Sequence, residues 1–375
     1  MSKTQCPMNN QTPKFKDTRS PLRSACRSHT LGIWALVIPW TLGFGNWNFN
    51  SLAAADETHA EVIVVVGASG SDEYAPQFRQ WADRWSEAAQ RGLAKLVAIG
   101  IDDDAKSADR ELLKQRLAET VGSGDPRRTE TEIEPLWLVL IGHGTFDGKV
   151  ARFNLRGPDV TAAELSEWIK PIERPIAIIN CTSSSGPFLN DLSGPNRVVI
   201  TATKSGHEYN FARFGDYLSS AITDPQADLD KDEQTSLLEA FLLASSRASE
   251  FYKSEGRLQT EHALLDDNGD KLGTPADWFQ GVRATKAAKS AAAIDGQHAA
   301  RWHLVHSPRE ERLSVEARAR RDELERELAA LRARKAEHSE AEYLVMIEPL
   351  LIEIARLYEA GEKETGNSRD RPSGK

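Results

Sequence analysis

Two patterns of apolar residues alternate along residues 61–223. Uninterrupted apolar runs of strand length occupy 61–68, 94–101, 135–142, 175–180 and 197–203. Such runs predict strands that are buried on both faces. The intervening segments place apolar residues every three or four positions, which predicts helices over 72–92, 108–122, 161–170 and 210–223. Together they predict an α/β fold of three layers (αβα), with helices on both faces of a mostly parallel sheet.

Beyond residue 300 the pattern is purely helical. Apolar residues recur at steps of three and four positions at Leu324, Leu328, Leu331, Leu344, Ile347, Leu351, Ile354 and Tyr358. This spacing predicts two helices within 305–360 that form an antiparallel hairpin or an arm for a protein partner. A helical cap on the main domain explains the same pattern. The polar residues 361–375 predict a disordered tail.

Residues 1–55 differ in composition from the rest of the chain. Basic residues precede an uncharged run over 31–45, and small residues follow at 53–55. The run is shorter than the roughly 20 residues that a membrane span needs. The arrangement predicts an export signal cleaved after Ala55, and hence a periplasmic or secreted protein without a stable membrane span. An uncleaved membrane anchor is the alternative.

Removal of this leader changes the net charge and the cysteine count. The chain carries a net charge of −9, and residues 1–55 contain six basic residues and one acidic residue, so the remainder carries about −14. A chain this acidic is a poor general ligand for nucleic acid or anionic lipid. Of the three cysteines only Cys181 follows the leader, so it has no partner for an intramolecular disulfide. Such a thiol is either a small buried hydrophobe or a reactive group.

Cys181 has a candidate partner at the end of the preceding strand. The predicted strands 135–142 and 175–180 end next to His143 and Cys181, which are 38 residues apart, enough for one right-handed crossover. Consecutive parallel strands are often neighbours, and reactive groups collect at their carboxyl ends. An imidazole beside a thiol lowers the pKa of the thiol and activates it as a nucleophile. The backbone amides of Gly144 and Cys181 are then candidate donors to an oxyanion.

Other chemistries fit these segments less well. The sequence GASG at 67–70 lacks the G-x-G-x-x-G spacing of a dinucleotide site, so no organic cofactor is predicted. The serines at 183–185 lack the G-x-S-x-G pattern of a serine hydrolase. A zinc site at His143 would need further histidine or cysteine ligands, and the chain offers few. The Cys–His pair is therefore favoured over a buried, inert thiol.

Residues 61–223 resemble the legumain family within the caspase-like (clan CD) superfamily of cysteine peptidases. The resemblance rests on the segments VIVVVGASGSDEY, IGHGTFDG, AIINCTSSSG and ITATKSGHEYNFARFGDYLSSAI. It implies hydrolysis of peptide bonds through a thioester acyl-enzyme. Cys181 would then be the nucleophile, His143 the proton donor to the leaving amine, and Gly144 part of the oxyanion hole.

The same resemblance places Ser205 and Asp216 in the substrate-binding region. Legumains hold an asparagine side chain with an arginine and a second acidic residue as well, but these positions are Ala75 and Ile179 here. Asparagine specificity is therefore not implied, and an unpaired Asp216 predicts a preference for a basic side chain. Asn180 stands where the superfamily usually has alanine or glycine, which leaves room for an inactive relative.

An acidic loop after these elements has the spacing of an EF-hand. Its first, third, fifth, seventh, ninth and twelfth positions are Asp228, Asp230, Asp232, Gln234, Ser236 and Glu239. In an EF-hand these positions surround calcium with side-chain oxygens and, at the seventh, one backbone carbonyl. Glu233 replaces the glycine of the sharp turn, which weakens the predicted affinity. A solvated acidic turn is the alternative. A second, weaker candidate loop contains Asp266, Asn268, Asp270 and Asp277.

These features predict an exported, calcium-binding cysteine endopeptidase with a caspase-like three-layer fold and a C-terminal helical hairpin. The predicted segments are an export signal at 1–55, a peptidase domain at 56–225, a calcium-binding extension at 226–290, a hairpin at 305–360 and a tail at 361–375. The second hypothesis is a catalytically silent caspase-like module that binds calcium and a protein partner. The third is a calcium-buffering structural protein.

Overall fold

The computed structural model describes residues 60–101, 108–122, 134–290 and 293–369, and the predicted export signal lies outside these ranges. The helices within them are α1 (Ala75–Arg91), α2 (Asp109–Glu119), α3 (Ala162–Ile169), α4 (Gly186–Leu192), α5 (Phe214–Ala221), α6 (Leu237–Ser254), α7 (Val315–Ala333) and α8 (Glu340–Arg369). The strands are β1 (Glu61–Val66), β2 (Lys95–Ile99), β3 (Leu136–Ile141), β4 (Gly144–Phe146), β5 (Ala151–Phe153), β6 (Val160–Thr161), β7 (Ile176–Asn180), β8 (Arg197–Thr201), β9 (Leu264–Asp266), β10 (Thr274–Pro275), β11 (Phe279–Gln280) and β12 (Arg283–Ala284).

The five strands predicted from the sequence form most of a seven-stranded sheet with the order β10-β9-β8-β7-β3-β1-β2. The strands β1, β2, β3, β7 and β8 run parallel, whereas β9 pairs antiparallel with β8 and β10 antiparallel with β9. The mostly parallel sheet is therefore confirmed. The strands β9 and β10 escape prediction because segments of two or three residues are too short to show a periodicity.

Helices cover both faces of this sheet, which confirms the three layers. Successive strand residues alternate between the faces: Val64 and Val139 contribute to the core beneath α1, α5 and α6. Val65 and Leu140 contribute to the core beneath α2, α3 and α4. The helix α3 begins with the capping box that its sequence predicts, because Thr161 Oγ1 accepts a hydrogen bond from the Glu164 amide and the Glu164 carboxylate accepts one from the Thr161 amide.

The segment 226–290 shares the hydrophobic core of the main sheet. Leu237 and Phe241 of α6 and Leu265 of β9 lie in the same buried cluster as Val64. The predicted boundary near residue 225 therefore does not divide the core. Buried apolar residues before and after residue 225 pack together in one core.

The helices α7 and α8 form the predicted antiparallel hairpin. Arg320 pairs with Glu353 at 2.8 Å, and Lys335, just beyond the end of α7, lies over the ring of Tyr343, which comes early in α8. A later position in α7 thus contacts an earlier position in α8, so the two helices are antiparallel. In the described residues no helix is both long enough and apolar enough to cross a membrane.

Candidate active site

His143 and Cys181 follow two strands that are neighbours in the sheet. The strands β3 and β7 pair in parallel from Leu136 and Ile176 onward, so both residues lie at the same carboxyl edge. Their side chains also lie on the same face. Cys181 belongs to the core cluster that contains Phe78, and the His143 ring centroid is 5.2 Å from the ring centroid of Phe78.

Aromatic side chains and one carbonyl hold the imidazole of His143. The rings of Tyr74 and Phe211 lie 4.9 and 6.1 Å from it, centroid to centroid. His143 Nε2 lies 3.0 Å from the carbonyl oxygen of Ser69, in the loop after β1. Because a carbonyl oxygen can only accept a hydrogen bond, Nε2 carries the proton. In the neutral ring Nδ1 is then the basic nitrogen.

The thiol of Cys181 is buried. Its residue is 1% exposed and lies against α5 and α1: a Cβ atom built on Gly215 would be 2.6 Å from Cys181 Cβ and 2.8 Å from the indole of Trp81. Burial raises the pKa of the Cys181 thiol to about 12, and the charge of Glu261 adds to the effect. In this conformation the thiol is protonated at neutral pH and is a poor nucleophile.

The two predicted oxyanion donors already have acceptors. The Cys181 amide donates to the Leu140 carbonyl at 2.9 Å, continuing the pairing of β7 with β3. This corrects the prediction that the Cys181 amide is free for an oxyanion. The Gly144 amide donates to Ser183 Oγ at 3.4 Å, and that hydroxyl donates to the Gly144 carbonyl at 3.2 Å. A contact of 3.4 Å is at the weak end for a hydrogen bond, so Gly144 is the donor that a substrate displaces more easily.

Hydroxyl groups of the segment 182–185 complete the turn from β7 into α4. Asn180 Oδ1 accepts hydrogen bonds from the amide and the hydroxyl of Thr182 at 3.1 and 2.7 Å. Ser185 Oγ accepts from the Thr203 amide at 3.1 Å and so joins this turn to the segment after β8. Ser183 and Ser185 therefore satisfy buried backbone groups at the edge of the sheet, whereas Ser184 Oγ is buried without a hydrogen-bond partner among the described residues.

Asp216 is paired, contrary to the sequence-based prediction. Its Oδ1 accepts a hydrogen bond from Arg84 Nη1 at 2.6 Å, because α1 packs beside α5. The premise of the predicted preference for a basic substrate side chain, an unpaired Asp216, is therefore wrong. Arg84 was missed, since residues 132 positions apart share no local pattern. Ser205 lies at the same edge as Cys181, and its carbonyl accepts from Thr203 Oγ1 at 3.2 Å.

Glu261 is a second residue near the site that the sequence does not mark. It is 2% exposed, and its carboxylate accepts hydrogen bonds from the amides of Arg213 and Phe214 at 2.8 and 2.9 Å. These amides begin α5, where the helix dipole favours a negative charge. Burial nevertheless raises the pKa of Glu261. Because α5 also packs against Cys181, the negative charge of Glu261 lies close enough to raise the pKa of the thiol.

The acidic loop brings three of its six predicted calcium ligands together. Carboxylate oxygens of Asp228, Asp230 and Asp232 lie within 4.8 Å of one another. Asp228 accepts hydrogen bonds from the amides of Lys231, Asp232 and Glu233. Glu233 has a φ of 72°, so the position that is glycine in an EF-hand adopts the left-handed conformation even with a side chain.

The other predicted ligands have different contacts. Ser236 and Glu239 form the capping box of α6, in which Glu239 Oε2 accepts from the Ser236 amide at 2.8 Å. Glu239 Oε1 accepts from the Leu229 amide at 2.7 Å. The predicted ligand at Gln234 is its backbone carbonyl, and its side chain accepts from the Ser307 amide at 3.2 Å. Glu239 is 1% exposed, so calcium ligation by it requires exchange of these hydrogen bonds.

The second acidic loop has a similar backbone. Asp266 accepts hydrogen bonds from the amides of Gly269 and Lys271 at 2.9 and 2.8 Å. These two residues have φ values of 78° and 68°, as Lys231 and Glu233 have positive φ in the first loop. Asn268 and Asp270 lie within this loop, whereas Asp277 belongs to the short 3-10 helix that follows β10.

Comparisons with known proteins give distant likenesses among the solved structures. No protein-family model and no curated protein matches the sequence. The chain is similar to the crystal structure of the Drosophila initiator caspase Dronc, with 13% identity and a TM-score of 0.40, over 57% of this chain and 81% of that chain. A likeness at this level carries no argument about activity. The α/β assignment rests on the sheet topology of this chain.

Proposed function

We propose that this protein is a cysteine-type endopeptidase of the caspase-like superfamily in which Cys181 and His143 act together. The main support is that these residues follow the adjacent parallel strands β3 and β7 and contact one aromatic cluster on the same face. His143 is also oriented, because the Ser69 carbonyl holds Nε2 and leaves Nδ1 as the basic nitrogen. A nucleophile, a base and a group that orients the base are the parts that covalent catalysis requires.

The reaction needs the buried thiol to become accessible. We place this step in two movements: a shift of α5 away from Cys181, which would uncover the thiol, and a rearrangement of the turn 182–185, which would free the Gly144 amide from Ser183. His143 Nδ1 then takes the thiol proton, the thiolate attacks the peptide carbonyl, and the proton passes to the leaving amine. Water hydrolyses the resulting thioester. A peptide-library digest by wild type and by Cys181→Ala tests this function.

A silent caspase-like module that binds a protein partner is the second candidate. The 1% exposure of Cys181 and the engagement of both predicted oxyanion donors favour it. In that case iodoacetamide is expected to alkylate Cys181 equally slowly in wild type and in His143→Ala. Because the pKa of the thiol is raised to about 12, the rate should keep rising through the alkaline range. Mass spectrometry at Cys181 measures both rates, and faster labelling of wild type than of His143→Ala would support the peptidase instead.

We also propose that the acidic loop binds calcium. Its three aspartates supply the hard oxygen ligands that this cation prefers. Partial burial and then the charges of Asp232, Glu239 and Asp228 raise the pKa of Asp230 to about 6. A bound cation would offset this repulsion between carboxylates. Export of the protein is part of the same proposal, and the composition of residues 1–55 supports it.

Replacing Asp230 by asparagine is expected to abolish the heat of calcium binding in calorimetry. The wild-type affinity should also fall as the pH is lowered through about 6, because calcium must then displace the proton that the raised pKa retains on Asp230. Asp191→Asn, at an exposed aspartate of α4, is the matched control and should bind as the wild type does. Equal heats from wild type and Asp230→Asn would exclude this loop as the site.

A further inference from the structure

A cavity of about 140 Å³ lies at the end of the sheet opposite to Cys181. Pro135 and Pro175, which directly precede β3 and β7, form one wall, whereas His143 and Cys181 follow those strands. The segment 298–306 and the helix α7 form the other walls. The cavity is therefore separate from the candidate active site.

Guanidinium donors without hydrogen-bond partners line this cavity. Burial lowers the pKa of Arg301, and no hydrogen bond from the described residues reaches its guanidinium. Arg318 Nε is buried and has no hydrogen-bond partner among them either. Arg326, about one helical turn beyond Asp322 on α7, is more exposed and adds a guanidinium that has no hydrogen bond to the described part of the chain. Leaving the buried donor Arg318 Nε unsatisfied costs free energy, which a bound acceptor recovers, and the partly buried Arg301 and exposed Arg326 add further guanidinium groups at the same cavity.

The carboxylates at the cavity are engaged by other cations. Glu134 Oε1 accepts from Arg318 Nη1 at 3.4 Å and lies 3.7 Å from His306 Nε2. Asp322 Oδ1 accepts from Arg321 Nε at 2.8 Å. Neither carboxylate is within hydrogen-bond distance of Arg301 or Arg326. The charges of Asp322, Asp267 and Glu325 act on Arg301 without hydrogen bonding to its guanidinium, so its donors are open to a ligand.

We propose that this cavity binds a phosphate group, either as free phosphate or as a phosphomonoester. A guanidinium presents paired N–H donors that match two phosphate oxygens, and Arg301, Arg318 and Arg326 provide three such groups around one space. The volume is below the roughly 300 Å³ of pockets for drug-sized ligands, which restricts the occupant to a compact anion. The bound group would join α7 to the segment 298–306.

Calorimetry of the full chain with inorganic phosphate, at constant ionic strength and with chloride as the competing salt, tests the proposal. One phosphate per chain is expected. Arg301→Gln should weaken binding about tenfold or more, since a hydrogen bond to a charged group is lost. Arg326→Gln, at an exposed position, should weaken it as well and serves if Arg301→Gln does not fold. A phosphomonoester such as phosphoserine, titrated in the same way, distinguishes the two sources of the phosphate group.

Arg320→Gln is the matched control on the same helix. Its guanidinium pairs with Glu323 and Glu353 and does not line the cavity, so phosphate affinity should be unchanged. Absence of heat with both phosphate and phosphoserine would overturn the proposal. Equal affinities in wild type, Arg301→Gln and Arg326→Gln would overturn it too. Because the cavity is distant from Cys181, these results are independent of peptidase activity.

Discussion

Replacement of Cys181 by alanine is expected to reduce peptide cleavage by at least about 10⁴-fold, because no other group can form the thioester. The substitution removes one sulfur atom from a packed site, so the fold should be retained. The measurement is the rate of cleavage of a peptide library, with thermal unfolding as the check on the fold. The library also reports which side chain any cleavage prefers, since Asp216 pairs with Arg84.

Ser245→Ala is the matched control for this experiment. The Ser245 hydroxyl donates to the Phe241 carbonyl within α6 and has no contact with the candidate site, so cleavage should be unaffected. Equal cleavage by wild type and Cys181→Ala would reject the proposed function. No cleavage by wild type under any condition, together with slow labelling of Cys181, would favour the silent module.

Replacement of Arg321 by alanine is expected to lower the free energy of unfolding by about 3–5 kcal/mol, because it leaves Glu310 as a buried, unpaired charge. The two side chains are 6% and 1% exposed, and Arg321 Nη2 lies 2.8 Å from Glu310 Oε1. Burial alone would lower the pKa of Arg321, but the nearby carboxylates of Asp322, Glu325 and Glu310 raise it. Denaturation by urea measures the change.

Arg320→Ala is the control, since Arg320 forms its ion pairs at the exposed side of the hairpin. It should change stability much less than Arg321→Ala, because exposed ion pairs contribute little. The double variant Arg321→Met with Glu310→Leu should recover part of the loss, because it removes the buried Glu310 charge together with its partner, although Asp322 still loses its hydrogen bond from Arg321. A similar small effect of both single variants would show that the Arg321–Glu310 pair contributes little to stability.

Local pattern alone was enough to predict most of the fold. Uninterrupted apolar runs specify the five parallel strands, and helical spacing specifies α1, α2, α3 and α5, since both periodicities follow from backbone geometry, whereas the short α4 was not predicted. The rule that consecutive parallel strands are neighbours then brings His143 and Cys181 to one edge. The short strands β4, β5, β6, β9 and β10 were not predictable, because two or three residues show no period.

The environment of each site residue depends on packing between distant segments. Cys181 is buried because Gly215 lets α5 approach it closely. Asp216 is paired because α1 brings Arg84 beside α5, and Glu261 reaches the start of α5 from a segment far along the chain. The cavity at α7 arises only where the hairpin meets the sheet. These long-range contacts set the exposure, pKa and hydrogen bonding of the site residues, and they produce no periodic pattern in the sequence.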